Sequence, residues 1–234
     1  MPIPEGVFCA DGIPTKSGGR MTPYYESKLG KLYHGDCLEI MPELEPVDLV
    51  LTDPPYGIGK KWVGGFSKAH GWGNLKLEQN ERNSWDCTTP NKKIFELISK
   101  ISPFQIIWGG NYFNLPPSRC WLVWVKPERG FSLAEAEMAW TSADNVVRIF
   151  DRHRHNKNKC HPTQKPVSLF VWCLSLSWSK DADLILDPFL GSGTTAVACE
   201  RLNRQWIGIE ISEKYCEIAA RRIESEASQL KLFA

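Results

Sequence analysis

Asp53-Pro54-Pro55-Tyr56 concentrates more chemistry than any other four residues of this chain. The four close an apolar run, Val47-Asp48-Leu49-Val50-Leu51-Thr52, that reads as a buried strand. An acid, two prolines and an aromatic at the carboxyl end of a strand make a rigid polar pocket with one flat wall. Asp53 can accept a hydrogen bond from an exocyclic amino group, the prolines fix the backbone so that a carbonyl faces the same nitrogen, and Tyr56 offers a ring for stacking. Such a pocket suits a planar, amino-bearing base. The same residues also suit an ordinary proline-rich turn, so a second motif has to choose between the two readings.

That motif is Asp187-Pro188-Phe189-Leu190-Gly191-Ser192-Gly193-Thr194-Thr195, which follows the apolar run Leu184-Ile185-Leu186 and leads into a helical pattern beginning near Thr195. A glycine-rich turn between strand and helix lets the backbone approach a ligand closely, with helix amides facing it. It lacks the lysine of a phosphate-binding loop and the third glycine of the dinucleotide fingerprint, so the ligand need not carry a pyrophosphate. Next, Gln205-Trp206-Ile207-Gly208-Ile209-Glu210 reads as a strand ending in an acid, where a carboxylate can hold a ribose diol. Glu210 is the expected ribose ligand. Ser212 then caps a structural helix through about Glu226, with Tyr215, Ile218, Ala219 and Ile223 at helical spacing.

Together these residues resemble the S-adenosylmethionine-dependent DNA methyltransferases that modify exocyclic amino groups, in the permuted, beta-class arrangement. In it the target motif (Asp53 to Tyr56) comes first and the cofactor motif (Asp187 to Thr195) comes late. His161-Pro162-Thr163-Gln164-Lys165-Pro166 is a third match, before the helix that leads into the cofactor strand. The resemblance runs from about Leu32 to Ile223, and the first thirty residues match nothing recognised. It implies an α/β, Rossmann-like methyltransferase fold: a mixed, mostly parallel sheet with helices on both faces and a circularly permuted motif order. It further implies S-adenosyl-L-methionine as cofactor, held by Asp36, His161, Thr163, Lys165, Asp187, Pro188, Phe189, Gly191, Ser192, Gly193, Thr194 and Glu210. Catalysis would fall to Asp53, Pro54, Pro55 and Tyr56. The reaction would be direct methyl transfer to a flipped base, without a metal or a covalent intermediate. The family covers adenine N6 and cytosine N4 enzymes, and an aspartate opening the target motif leans toward adenine. A catalytically silent cofactor-binding or DNA-binding module is the alternative of another class, and RNA is an alternative substrate.

Several elements must position these groups. Lys31-Leu32-Tyr33-His34-Gly35-Asp36 reads as a strand ending in an acid, followed by a short helix from Leu38 to about Leu44. Asp36 suits both the cofactor's adenine and a helix cap. With the helix from Ser212 beside this strand, the order cofactor strand, Glu210 strand, Asp36 strand, target-motif strand runs continuously, with every carboxyl end at one edge of a parallel sheet. Beyond it come a helix from Lys92 to Ile101 and strands at Gln105 to Trp108 and Trp121 to Lys126. Glu137 to Trp140 and Val146 to Phe150 are expected to pair and close the sheet. Asn111 or Tyr112 is a candidate for lining the base pocket, while Trp108, Trp121 and Trp124 read as core.

The chain has 234 residues and 42% hydrophobic composition, which suits one methyltransferase domain over 1–234. No apolar run is long enough to span a membrane and the N-terminus lacks a signal-peptide pattern, so an intracellular protein is expected, and the resemblance implies a prokaryotic or phage-encoded, cytoplasmic one associated with the nucleoid in use. Eight cysteines without paired spacing read as buried thiols. The net charge of +1 hides an uneven distribution. Arg148, Arg152, Arg154, Lys157, Lys159 and Lys165 crowd one segment, and a glycine- and tryptophan-rich loop at about 57–90 carries Lys60 and Lys61. Lys60, Lys61, Arg148, Arg152, Arg154, Lys157 and Lys159 are the expected phosphate contacts on double-stranded DNA. The loop is expected to be mobile and to fold over a flipped nucleotide, and 126–160 is the expected target-recognition region. His153, His155, Cys160 and His161 match no zinc spacing, so no metal is expected. A homodimer is compatible with the reading.

Overall fold

The computed structural model describes residues 21–58, 86, 88–127, 134–153 and 164–231. Strands β1 (Tyr25–Glu26) and β2 (Gly30–His34) lead to helix α1 (Cys37–Ile40) with a 3-10 turn at Met41–Glu43, then to β3 (Leu49–Thr52). Helix α2 (Lys92–Ile101) precedes β4 (Phe104–Trp108), β5 (Trp121–Val125), β6 (Ala136–Thr141) and β7 (Arg148–Asp151). The chain closes with α3 (Val167–Leu174), β8 (Leu184–Asp187), α4 (Thr194–Arg201), β9 (Gln205–Glu210) and α5 (Glu213–Lys231). The strands form one sheet in the order β1-β2-β9-β8-β3-β4-β6-β5-β7. Only β1 and β6 run antiparallel to their neighbours.

Alternation along each strand fills both faces of this sheet. Leu49 and Leu51 of β3, with Leu32, Ile106 and Ile185, pack against Leu169, Phe170, Val197 and Ala219 of α3, α4 and α5. Val50 between them, with Tyr33, Ile107, Leu186 and Ile209, packs against Ile94 and Ile98 of α2 and Ile40 of α1. Side chains buried on both faces explain why these runs are continuously apolar. Each fully buried Leu or Ile contributes about 1.5–3 kcal/mol. Local signals set the helix starts: Asp36 accepts from the Leu38 amide at 2.8 Å and Asn91 accepts from the Lys93 amide at 3.0 Å. The five described cysteines, Cys37, Cys120, Cys173, Cys199 and Cys216, are free and buried. Among the described residues no helix is long and apolar enough to cross a membrane.

Two expectations about strand order need correction. The target-motif strand β3 does not flank the Asp36 strand; it pairs with β8 on one edge and β4 on the other. β9 already pairs with β2 and β8, so the open edge of β8 is the one that takes β3. Nor do Glu137–Trp140 and Val146–Phe150 pair. β6 is bonded on both edges, Ile106↔Thr141 toward β4 and Trp121↔Trp140 toward β5, so β7 adds to the outer edge of β5.

Candidate active site

Strand direction assembles the site. The carboxyl ends of β2, β9, β8, β3, β4, β5 and β7 share one edge of the sheet, and β6, running the other way, brings its amino end there. Asp53 follows β3, Asp187 ends β8, Glu210 ends β9, Lys126 follows β5 and Glu137 opens β6.

The two motif strands are stitched together at this edge. The hydroxyl of Thr52, fully buried at the end of β3, donates to Asp187 Oδ1 at 2.7 Å. Asp187 also accepts from the Thr195 hydroxyl at the start of α4 and from the Phe189 amide at 3.0 Å. Burial pushes the Asp187 carboxyl up to about 6, against the pull of the Thr195 and Thr52 hydroxyls and the Phe189 amide. Asp187, expected at the cofactor, thus spends both oxygens joining β8, β3 and α4. It positions the cradle from inside.

The cradle is built by its glycines. Gly193 is the N-cap of α4 at φ +83 with no side-chain cap. Gly191, at φ +54, is open: a Cβ there would meet only the Phe189 carbonyl oxygen, at 3.9 Å. The Gly191 amide donates to Glu210 Oε2 and the Ser212 amide to Glu210 Oε1, each at 2.8 Å. This fixes the carboxylate at the strand end, half-buried. Burial raises the Glu210 carboxyl, and the Ser212, Gly191 and Ile211 amides oppose it. Ser192, with the neighbouring buried Pro188 and Thr194, belongs to the wall: the Ser192 hydroxyl accepts from Arg222 of α5 at 2.8 Å. Phe189 is half-exposed. Asp36 caps α1 at the end of β2, two strands from β8. His161 and Thr163 lie outside the described residues.

On the target side a four-residue network surrounds Asp53. The Tyr56 hydroxyl donates to Asp53 Oδ1 at 2.7 Å. Lys165 donates to both Asp53 oxygens at 2.8 Å and to the Tyr56 hydroxyl at 2.9 Å, and its ammonium lies 2.9 Å from Glu137 Oε2. Lys126 binds the other Glu137 oxygen. Burial opposes the charge on Lys165, but the Asp53 and Glu137 carboxylates outweigh it and hold the ammonium above the ordinary lysine range. Burial also raises Glu137, and Lys165 and Lys126 more than reverse this, down to about 2. Lys165, expected at the cofactor, is therefore placed on the target-motif carboxylate. The physical reason is that Pro166 starts α3 with the lysine buried next to β4, where two carboxylates converge on it.

Tyr56 is itself packed. Its ring stacks on Tyr112 at 4.9 Å between centroids and 14° between planes. Gly109, at φ +71, lies so close that a Cβ would fall 2.0 Å from Tyr56 Cε1. The outer ring of this stack is Tyr112, 43% exposed. Pro54 is buried and Pro55 half-buried. Gly57 and Asp86 tie the ends of the glycine-rich segment together, Gly57 amide to Asp86 Oδ1 at 2.7 Å. Lys60 and Lys61 within that segment, and Arg154, Lys157 and Lys159, lie outside the described residues. Arg148 and Arg152 are exposed on and just after β7, the edge strand.

Glu137, Lys126 and Arg222 were absent from the sequence-based site. The first two carried a signal, because a charge set beside or within an apolar strand run is costly unless paired. Arg222 carried none, being one of two adjacent arginines on a long surface helix.

An N6/N4 methyltransferase family model, described as DNA methylase, matches residues 78–221. The chain is 38% identical to the Type II methyltransferase M.BglII of Bacillus subtilis over 86% of this chain and 71% of that protein. It is 29% identical to the Type II methyltransferase M.HpaI of Haemophilus parainfluenzae over 84% of this chain and 74% of that protein. Two solved structures share the fold. PvuII DNA methyltransferase (cytosine-N4-specific) has a TM-score of 0.57 at 18% identity, over 88% of this chain and 94% of that one. The M1.HpyAVI-SAM complex has a TM-score of 0.53 at 23% identity, over 83% of this chain and all of that one. With two motif aspartates on adjacent strand ends and this breadth of match, the chain belongs to the DNA methylase family and is an S-adenosylmethionine-dependent DNA methyltransferase.

Proposed function

We propose that this enzyme methylates the exocyclic N6 of adenine at a specific sequence in double-stranded DNA, taking the base flipped out of the duplex. The observation that carries this reading is the buried Thr52 to Asp187 hydrogen bond. It ties the strand end that carries Asp53, the next residue, to the strand end that carries the glycine cradle, which supports an amino-accepting role for Asp53 there. Transfer to an amino group needs those two sites in contact.

The cradle residues fit S-adenosylmethionine. Glu210 presents a fixed carboxylate for a ribose diol, Gly191 leaves the backbone open to close approach, and α4 begins without a capping side chain. When bound, this cofactor supplies a sulfonium-activated methyl group as electrophile. The chain's part is to prepare the nucleophile. The amino nitrogen of adenine is weak because its lone pair is delocalised into the ring. An Asp53 carboxylate and the Pro54 carbonyl accepting its two hydrogens favour a more tetrahedral nitrogen and stabilise the positive charge that grows on it during transfer. Tyr56, bonded to Asp53 and backed by Tyr112, holds the carboxylate and extends the aromatic wall on which a base can stack.

The Type II class named for the relatives supports action at a defined site within a restriction-modification pair, in the cytoplasm of a prokaryote or its phage. The permuted motif order, a single domain over 1–234 and a homodimer belong to the same proposal. The decisive experiment incubates the protein with unmethylated genomic DNA and S-adenosylmethionine, digests the DNA to nucleosides and identifies products by mass spectrometry. N6-methyladenine is the expected product. N4-methylcytosine would keep the mechanism and overturn the base assignment; no methylated base would overturn the reading in favour of RNA or a silent binding role.

A further inference from the structure

We propose that Lys165 is a placeholder for the target's amino group and that Glu137 is the positioning residue that keeps its charge compensated when the base arrives. This rests on the methyltransferase reading above. The ammonium of Lys165 sits where a target amino group must donate, on both oxygens of Asp53. It is 5% exposed and cannot simply swing into water. Three hydrogens serve four acceptor atoms, because Glu137 Oε2 and the Tyr56 hydroxyl lie at 2.9 Å alongside the two Asp53 oxygens. One contact is therefore always shared, and the Asp53 contacts can be given up without leaving the ammonium bare.

A base amino group enters as a neutral donor, takes the freed Asp53 oxygen, and the ammonium stays on Glu137 and Tyr56. No covalent bond is made or broken in this exchange. Lys126 completes the device by holding Glu137 Oε1, which leaves Oε2 aimed at Lys165. The two lysines hold the Glu137 carboxyl below its ordinary range against its burial, which favours the charged form that faces Lys165. Without the Glu137 charge, Asp53 would be the remaining anionic partner of a buried ammonium among the described residues. It would not be surrendered readily, since an unpaired buried charge is strongly disfavoured.

The test is Glu137→Gln on a duplex containing the mapped methylation site. Expected is a loss of kcat/KM for DNA of about 100-fold, with S-adenosylmethionine affinity unchanged by calorimetry. Flipping of 2-aminopurine at the target position, read by its fluorescence, should be unchanged, because that base has no amino group at the reacting carbon and does not compete for Asp53. Adding Lys165→Met to Glu137→Gln restores charge balance and frees Asp53, and should recover about tenfold of the loss. A Glu137→Gln enzyme within about threefold of wild type, a parallel loss of 2-aminopurine flipping, or a double variant no better than the single would each overturn the proposal. If Glu137→Gln alone does not fold, the charge-neutral pair decides: a folded, inactive pair overturns it and methylation by the pair supports it. Wild-type protein that methylates no DNA would instead sink the underlying function, whereas active wild type with active Glu137→Gln sinks only the placeholder.

Discussion

At the residue scale, Asp53 and Asp187 are carboxylates one strand apart with opposite duties. Asp53 is partly open and paired with a lysine and a tyrosine; Asp187 is sealed among hydroxyls and an amide. Asp53→Ala is expected to lower kcat by about 100- to 1,000-fold, the loss typical of one preorganised transition-state contact. Cofactor affinity should hold, because Asp53 lies on the target side; full activity in single-turnover assays would count against its assigned role. Asp187 should show in stability instead. Its folded carboxyl is raised to about 6 from 3.8, so its contribution is full below 3.8 and is lost as pH rises through about 6. The stability difference between wild type and Asp187→Asn should shrink by about 3 kcal/mol across that window, measured by urea denaturation at stepped pH. Glu137 runs the other way: its contribution is present above 4.5 and lost as pH falls through about 2.

At the element scale, the turn after β4 decides whether Tyr56 can stand where it does. Gly109→Ala combines a left-handed φ of +71 with a Cβ 2.0 Å from the Tyr56 ring. The conformation alone costs about 1–2 kcal/mol, and relieving the clash must move Tyr56, its bond to Asp53 and its stack on Tyr112. Activity should therefore fall about tenfold or more while the protein stays folded, measured as kcat beside a thermal melt. An Ala variant with wild-type rate would mean that Tyr56 has freedom the packing does not suggest. Gly109 was visible in the sequence only as part of a turn, because the ring that presses on it comes from a motif more than fifty residues earlier.

At the scale of the whole molecule, one sheet edge gathers Asp53, Asp187, Glu210, Lys126 and Glu137 from five strands, and β7, parallel to β5 on the sheet's outer side, carries Arg148 at its amino end and Arg152 just past its carboxyl end, both exposed. If those arginines meet phosphates, Arg148→Ala and Arg152→Ala should each reduce the slope of log affinity against log salt by about one. Fluorescence anisotropy of a labelled duplex over a salt series measures this, and unchanged slopes would place the phosphate contacts elsewhere.

Much of this was legible in the chain because it is local. Strand β9 and helix α2 follow from the pattern of their own residues, and the two motifs announce a strand end, a pocket and a glycine cradle by type and spacing. What the sequence by itself determined is therefore the family and its chemistry, and it put forward Asp53 and Glu210 as the groups to test. Pairing was not local. That β3 lies against β8, that β5 separates β6 from β7, and that Lys165 serves Asp53 rather than the cradle are settled by which edges and buried charges find partners. Only the tertiary structure decided these, since a strand's edge is satisfied by hydrogen bonds that carry no side-chain label, and a buried lysine goes wherever opposite charge awaits it.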